Sequence, residues 1–260
     1  MRAWDRLDLV EILEAHDPAR VALTLDGAER SYGELTSRSR ALAAALEDEL
    51  ELAPGDRVAL LCRNRLEYLE VELAVSHAQG VLVAMSWRYS QEERVSVLQK
   101  CGAAVAIVDP EFVEPLTAAV ASGGLPHLRS IVPFGTGYDG LIERFRDAPA
   151  LAHDARDFGA AHEIIFTSGT TGAPKGAVWT TGSLLFNALQ QIVDFDISPQ
   201  SSTFVSFDLN YIGGRHQFVW GILHQGGTVH LKHSGGFDPA EVVEAIVRHS
   251  ITHILLVPTM

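Results

Sequence analysis

Cysteine is almost absent. Cys62 and Cys101 are the only two in 260 residues, which excludes a disulfide framework and leaves no paired metal-binding spacing. Cys62 closes the apolar run RVALLC and Cys101 ends an amphipathic stretch, so both read as small core residues of a protein in a reducing compartment. Positive charge is also scarce: 20 Lys and Arg stand against 33 Asp and Glu, a formal charge of −13. A phosphate backbone needs a cationic face, so nucleic acid is excluded as the expected partner, while one local positive spot for a small anion is not. Long apolar runs are missing as well. None approaches the roughly 18 residues of a membrane span, and the opening MRAWDRLDLVEIL carries charges too often for a secretory leader. A cytoplasmic protein is expected.

What is present is an alternation of short apolar strands and capped helices. VALTLDGAERSY reads as a hairpin turning at Asp26-Gly27. Ser31 with Glu34, and Ser90 with Glu93, have the capping-box spacing; Asn64 with Glu67 is expected to open a helix in the same way. GDRVALLC, GVLVAM and AAVAIVD are continuously apolar, as strands buried on both faces of a parallel sheet are. The expected fold is α/β.

An internal repeat refines that expectation. YLEVELAVSHAQGVLVAM from Tyr68 matches RHQFVWGILHQGGTVHLK from Arg215, with His77 and Gly80 opposite His224 and Gly227. One residue later in register, Val95, Leu98, Ala103 and Pro110 fall opposite Val243, Ile246, Ile251 and Pro258. Asp238-Pro239 and Glu241 are expected to cap the second copy's later helix. The repeat predicts two similar, largely parallel α/β subdomains side by side, with a ligand crevice at the carboxyl ends of their strands. The expected division is 1–117 for the first unit, 118–161 for connecting surface loops, and 162–260 for the second unit.

The second unit opens with FTSGTTGAPKGAVWTT, residues 166–181. Apolar EIIF precedes the Gly/Ser/Thr run and strand-like GAVWTT follows it. It is therefore a strand-to-strand loop and not a Walker A turn, which also needs glycine immediately before the lysine. Glycines let successive N–H groups converge on an anion, Ser168, Thr170 and Thr171 add hydroxyl donors, and Lys175 adds a mobile charge. The reading from the residues is a phosphate cradle, with a plain linker as the alternative.

TSGTTGAPKG resembles the phosphate-loop signature of the adenylate-forming (AMP-binding) superfamily: acyl-CoA synthetases, luciferases and the adenylation domains of peptide synthetases. SYGELTSRSRALAAAL, APGDRVALLCRNRLEYLE, GVLVAMSWRYSQEE and VEAIVRHSITHILLVPTM are similar, in order, to that family's N-terminal half. The resemblance implies an ATP-dependent ligase. A substrate carboxylate attacks the α-phosphorus of ATP, giving an acyl-adenylate and pyrophosphate, and a thiol such as that of CoA then takes the acyl group. It implies ATP binding by Thr167, Ser168, Gly169, Thr170, Thr171, Gly172 and Lys175, with Lys175 and Mg2+ stabilising the departing pyrophosphate.

The acyl side is expected in FDLNYIGGRHQFVWGILHQGG. Set on the acyl-CoA synthetase pattern, roughly Pro-Leu-Phe-His before a glycine-rich turn, Tyr211 takes the histidine position and Gly213-Gly214 the turn. All three are expected to line the substrate pocket, unless Tyr211 is a core aromatic. Asp208 stands where that pattern has proline. It echoes the amino-acid-activating branch, where an aspartate holds the substrate ammonium, so that branch stays open. Arg215 and His216 fall near the expected pocket, where binding of an anionic group is one reading, but they are read first as surface residues. His249 and His253 have helical metal-ligand spacing, but a helix end falls between them and no metal site is assigned. The family's lid domain, magnesium glutamate and ribose aspartate have no counterpart before Met260. The chain is thus expected to be an incomplete N-terminal adenylation domain, inactive alone, or a truncated module that binds nucleotide or a partner without catalysis. The acid and its acceptor, CoA, a carrier-protein thiol or an amine, are left open.

Overall fold

The computed structural model describes residues 8–149, 151, 157–167, 175–258 and 260. Its first half runs α1 (Leu9–Glu14), β1 (Val21–Leu25), β2 (Ala28–Ser31), α2 (Tyr32–Asp48), β3 (Arg57–Leu61), α3 (Glu67–His77), β4 (Val81–Met85), α4 (Gln91–Cys101), β5 (Val105–Val108), α5 (Val113–Ala121), β6 (Ser130–Pro133) and α6 (Thr136–Arg144). There follow β7 (Ala161–Thr167), β8 (Lys175–Thr180), α7 (Thr181–Asp194), β9 (Ser202–Val205), α8 (Ile212–Arg215), α9 (Val219–His224), β10 (Thr228–Leu231) and α10 (Pro239–His249). Among the described residues no helix is long and apolar enough to cross a membrane.

Local chemistry accounts for most boundaries. The β1–β2 hairpin turns through Asp26 (φ 50°) and Gly27 (φ 81°), the paired positive φ values that a two-residue turn needs. Ser31–Glu34 and Ser90–Glu93 both form complete capping boxes. Asp238 caps α10 by accepting from the Ala240 amide, but Glu241 pairs with Lys232 instead of reaching back to the cap. Asn64 does not cap α3: the residue before that helix is Leu66, with no side-chain cap, and Asn64 is buried for another purpose described below. The span 118–161, expected as surface loops, holds the end of α5, all of β6 and α6 and the start of β7. Leu125, Leu128, Val132, Tyr138 and Leu141 bury there, because the edge of the sheet needs cover and this span supplies it.

Two sheets form. The larger has the order β6-β5-β3-β4-β7-β8, parallel except for β8; the smaller is β2-β1-β10-β9, parallel except for β2. The sheets do not follow the halves of the chain. Hairpin β1–β2 joins the second unit's sheet through β10, and hairpin β7–β8 joins the first unit's sheet through β4. The repeat is otherwise faithful. Gln79 (φ 55°) and Gly226 (φ 81°) make the same left-handed turn, after which Gly80 and Gly227 donate to Val75 and Ile222 at 2.8 and 2.9 Å. Gly102 and Ser250 are matching left-handed ends of α4 and α10. The strand expected after Ser250 is reduced to a single bridge, Thr203 to His253.

Strand alternation sorts the core into layers. Val58, Leu60, Leu82, Val105 and Ile107 of the larger sheet and Leu23, Leu25, Val205, Val229 and Leu231 of the smaller share one cluster with α1, α2, α3, α7 and α9. Ala59, Leu61, Val83 and Met85 face the other way, onto α4 and α5. Phe204 packs on α10. A common helical layer therefore lies between two sheets, and Asn64 bridges their carboxyl ends. Its amide donates to the Phe207 and Lys232 carbonyls (2.9 and 3.0 Å), and its oxygen accepts from the Leu209 amide (2.7 Å).

Candidate functional site

Hairpin β7–β8 carries the glycine-rich loop. Register pairs Thr167 with Lys175 as the last rung, so these two residues form the loop's mouth. Ser168, Gly169, Thr170, Thr171 and Gly172 lie outside the described residues. Thr167 and Lys175 are both exposed, and Lys175 makes no ion pair among the described residues. Gly176 lets β8 lie flat on β7, since a Cβ there would meet Ile164 at 2.7 Å. β4 runs parallel beside β7, with Ala84 opposite Ile165. Its outgoing segment, Ser86 to Arg88, therefore leaves the sheet on the same edge as the mouth.

That outgoing segment meets the candidate acid side. Arg88 pairs with Asp208, and the Trp87 indole donates to the same carboxylate at 3.3 Å. Two guanidinium groups lie over the Trp87 ring, Arg63 at 4.5 Å and Arg88 at 4.2 Å. Asp208 is thus committed within the protein and is not free to hold a substrate ammonium. Its carbonyl then accepts from the Tyr211 amide (3.0 Å), turning the chain into the short helix α8. Gly214 must be glycine in this turn, because a Cβ would sit 2.2 Å from that same Asp208 oxygen. Gly213 lies against the Tyr211 ring, where a Cβ would come within 3.2 Å. Tyr211 is 57% exposed and leans toward Phe207, ring centroids 6.2 Å apart. It is not a core aromatic.

Arg215 and His216 overturn the surface reading. Arg215 is completely buried and His216 nearly so. Arg215 faces Glu72 at 2.8 Å and also Glu163, and donates to the Tyr68 hydroxyl (3.1 Å) and the Leu209 carbonyl (2.6 Å). His216 faces Glu163 and packs on Trp179, 4.4 Å between ring centroids, while His162 reaches Glu72 at 3.1 Å. Burial pushes the Glu72 carboxyl up, but the Arg215 charge and the His162 hydrogen bond outweigh it and hold the group below its ordinary value. Burial, then the adjoining guanidinium, drives the His216 imidazole down to about 3. A sequence signal for this cluster existed in Glu163, a charge inside the strand AHEIIFT, which could be buried only with a partner. His249 and His253 diverge: the first stacks on His230 at 4.2 Å, the second reaches the Phe195 carbonyl at 2.9 Å.

Comparison with known proteins bears on this arrangement. The family model described as "AMP-binding enzyme" matches residues 12–260. A feruloyl-CoA synthase from Amycolatopsis sp is 35% identical over 243 residues, covering 94% of this chain and 46% of that protein. An indoleacetate–CoA ligase from Aromatoleum aromaticum is 29% identical over 259 residues, covering 97% of this chain and 50% of its own length. The chain spans about half the length of the curated relatives it matches. Among solved structures, a putative long-chain-fatty-acid CoA ligase from Rhodopseudomonas palustris shares the fold, with a TM-score of 0.87 at 22% identity over 98% of this chain and 65% of that one.

Proposed function

The chain belongs to the AMP-binding enzyme family, and from that premise we propose that it carries the phosphate loop and acid-side turn of an ATP-dependent carboxylic acid–CoA ligase. Thr167, Ser168, Gly169, Thr170, Thr171, Gly172 and Lys175 cradle the triphosphate of ATP. A carboxylate oxygen bonds to the α-phosphorus as the bond to pyrophosphate breaks. The CoA thiolate then bonds to the acyl carbon and AMP leaves. Lys175 acts on the first step, offsetting charge that gathers on pyrophosphate. Tyr211, Gly213 and Gly214 line the acid pocket. The exposed Tyr211 ring beside the half-buried Phe207 suits an aromatic acid, and the named acids of the two relatives, feruloyl and indoleacetate, are aromatic. Mg2+ would arrive with the nucleotide; the described residues at the mouth, Thr167 and Lys175, include no carboxylate to hold it.

The observation that carries this reading is the pairing of a family match over residues 12–260 with a hairpin whose mouth presents an exposed Thr167 and an exposed Lys175 that makes no ion pair among the described residues. The amino-acid-activating alternative loses its anchor, because Asp208 is already held by Arg88 and Trp87. The test is carboxylate-dependent exchange of pyrophosphate into ATP by the complete gene product, over a panel of aryl, aliphatic and amino acids. Exchange is expected with aryl acids foremost. No exchange with any acid would sink the ligase reading and leave a binding module. CoA against a carrier-protein thiol is decided by which of them consumes the adenylate in the same assay.

A further inference from the structure

The charges gathered beneath the loop hairpin have no part in the chemistry just described, since none of them is at the loop mouth. Fully buried ion pairs are a poor device for stability, because desolvation of the charges offsets their attraction. What such a cluster can supply is a fixed relation between the elements that contribute to it. Here those elements are informative. Glu163 lies on β7, and its partner across the hairpin is Trp179 of β8. Arg215 faces Glu163 while the next residue, His216, packs on Trp179. One dipeptide therefore grips both strands of the hairpin at a single rung. Thr167 is four positions beyond Glu163 on β7, so this rung lies about 13 Å below the mouth. On the acid side, Arg215 is the last residue of α8, whose preceding turn holds Tyr211, and it also fixes the Leu209 carbonyl just before that turn (2.6 Å). Glu72 and Tyr68, from α3, brace the same guanidinium from the central helical layer.

We propose that Arg215 is a positioning residue that holds the acid-side turn, Tyr211 to Gly214, in register with the nucleotide-side hairpin. The carboxylate presented by one then meets the α-phosphorus held by the other. This rests on the acid-activating reading of the site. Planarity explains the residue type: a guanidinium addresses two carboxylates, a hydroxyl and a carbonyl at once, which a lysine ammonium on a flexible stem does not reproduce.

Arg215→Lys and Glu163→Gln are made in the complete gene product and compared with the parent in two ways: pyrophosphate-exchange kinetics with acid and ATP each varied, and amide hydrogen exchange of the free protein. Both variants are expected to keep the ATP KM within about twofold while kcat falls on the order of 10- to 100-fold and the acid KM rises, the signature of misplaced reactants. Hydrogen exchange is expected to quicken in residues 209–216 and 163–167 together. If Arg215→Lys does not fold, Glu163→Gln, which removes one partner and keeps the volume, carries the same comparison. A lowered melting temperature with unchanged kcat and KM values would overturn the proposal and make Arg215 a packing residue. A parent enzyme inactive with every acid would instead sink the ligase reading. In that event, loosening confined to one of the two segments would sink the linkage too, and loosening of both would uphold it.

Discussion

An exposed lysine on an edge strand contributes little to a fold, and Lys175 makes no ion pair among the described residues. Lys175→Ala is therefore expected to leave stability within about 0.5 kcal/mol of the parent. Its loss at the transition state is expected to cost ~3 kcal/mol, about two orders of magnitude in the rate of adenylate formation. Pyrophosphate exchange measured beside thermal unfolding checks both halves; an unchanged rate in the folded variant would remove Lys175 from the mechanism. Tyr211 can be argued in the same terms. At 57% exposure its truncation vacates no core, so Tyr211→Ala should melt close to the parent. Discrimination between aryl and aliphatic acids should shift by on the order of 1–3 kcal/mol, with the ATP KM nearly constant. A flat selectivity profile would move the acid pocket elsewhere. Single residues also mark where reading the sequence failed. Tyr211 stood open between pocket and core, and Arg215 and His216 looked like surface charges, because nothing within a few residues of them reveals the carboxylates of α3 and β7 that accept them.

Strands, helices and turns were the most legible level, since their causes are local. Both capping boxes, the Asp26-Gly27 hairpin and the left-handed turn at Gly102 are set by side chains within four residues. Asn64 looked like another cap by spacing alone, but a buried amide with three backbone partners across two sheets was the stronger demand. The span 118–161 looked like loops because β6 and α6 are short and rich in glycine and proline around their ends. β10 offers a test at this scale. His230 sits in the middle of the smaller sheet, hydrogen-bonded to Thr24 at 2.8 Å and stacked on His249. Burial, followed by the neighbouring imidazole, holds it down at about 4 against an ordinary 6.5. The unfolded chain takes up that proton at higher pH than the folded one, so the contribution is intact above about 6.5 and is lost as pH falls toward 4. The melting temperature is expected to drop across that window, and His230→Gln should flatten part of the drop. An identical pH profile in the variant would remove His230 as a cause.

At the level of the whole molecule the repeat was visible in the sequence, but the exchange of hairpins was not. Pairing of β1 with β10 and of β4 with β7 joins segments that no local pattern connects. Because each sheet needs strands from both halves, the two units are not independent bodies. A chain divided between Pro149 and Asp157 is expected to give two pieces that each lack a cooperative unfolding transition, and to regain one on mixing. Circular dichroism of the pieces, separately and together, checks this; a first piece that melts cooperatively alone would show that the first unit does not need β7–β8 or β10.

The same exchange sets a clock on the ribosome. β1 cannot find β10 until some 200 residues have followed it, Thr24 and His230 being 206 positions apart. At ~5–20 residues per second of synthesis, the first hairpin emerges on the order of 10–40 s before its neighbour. During that interval β1 lacks its neighbour on one side, an open strand edge of the kind that pairs with other chains.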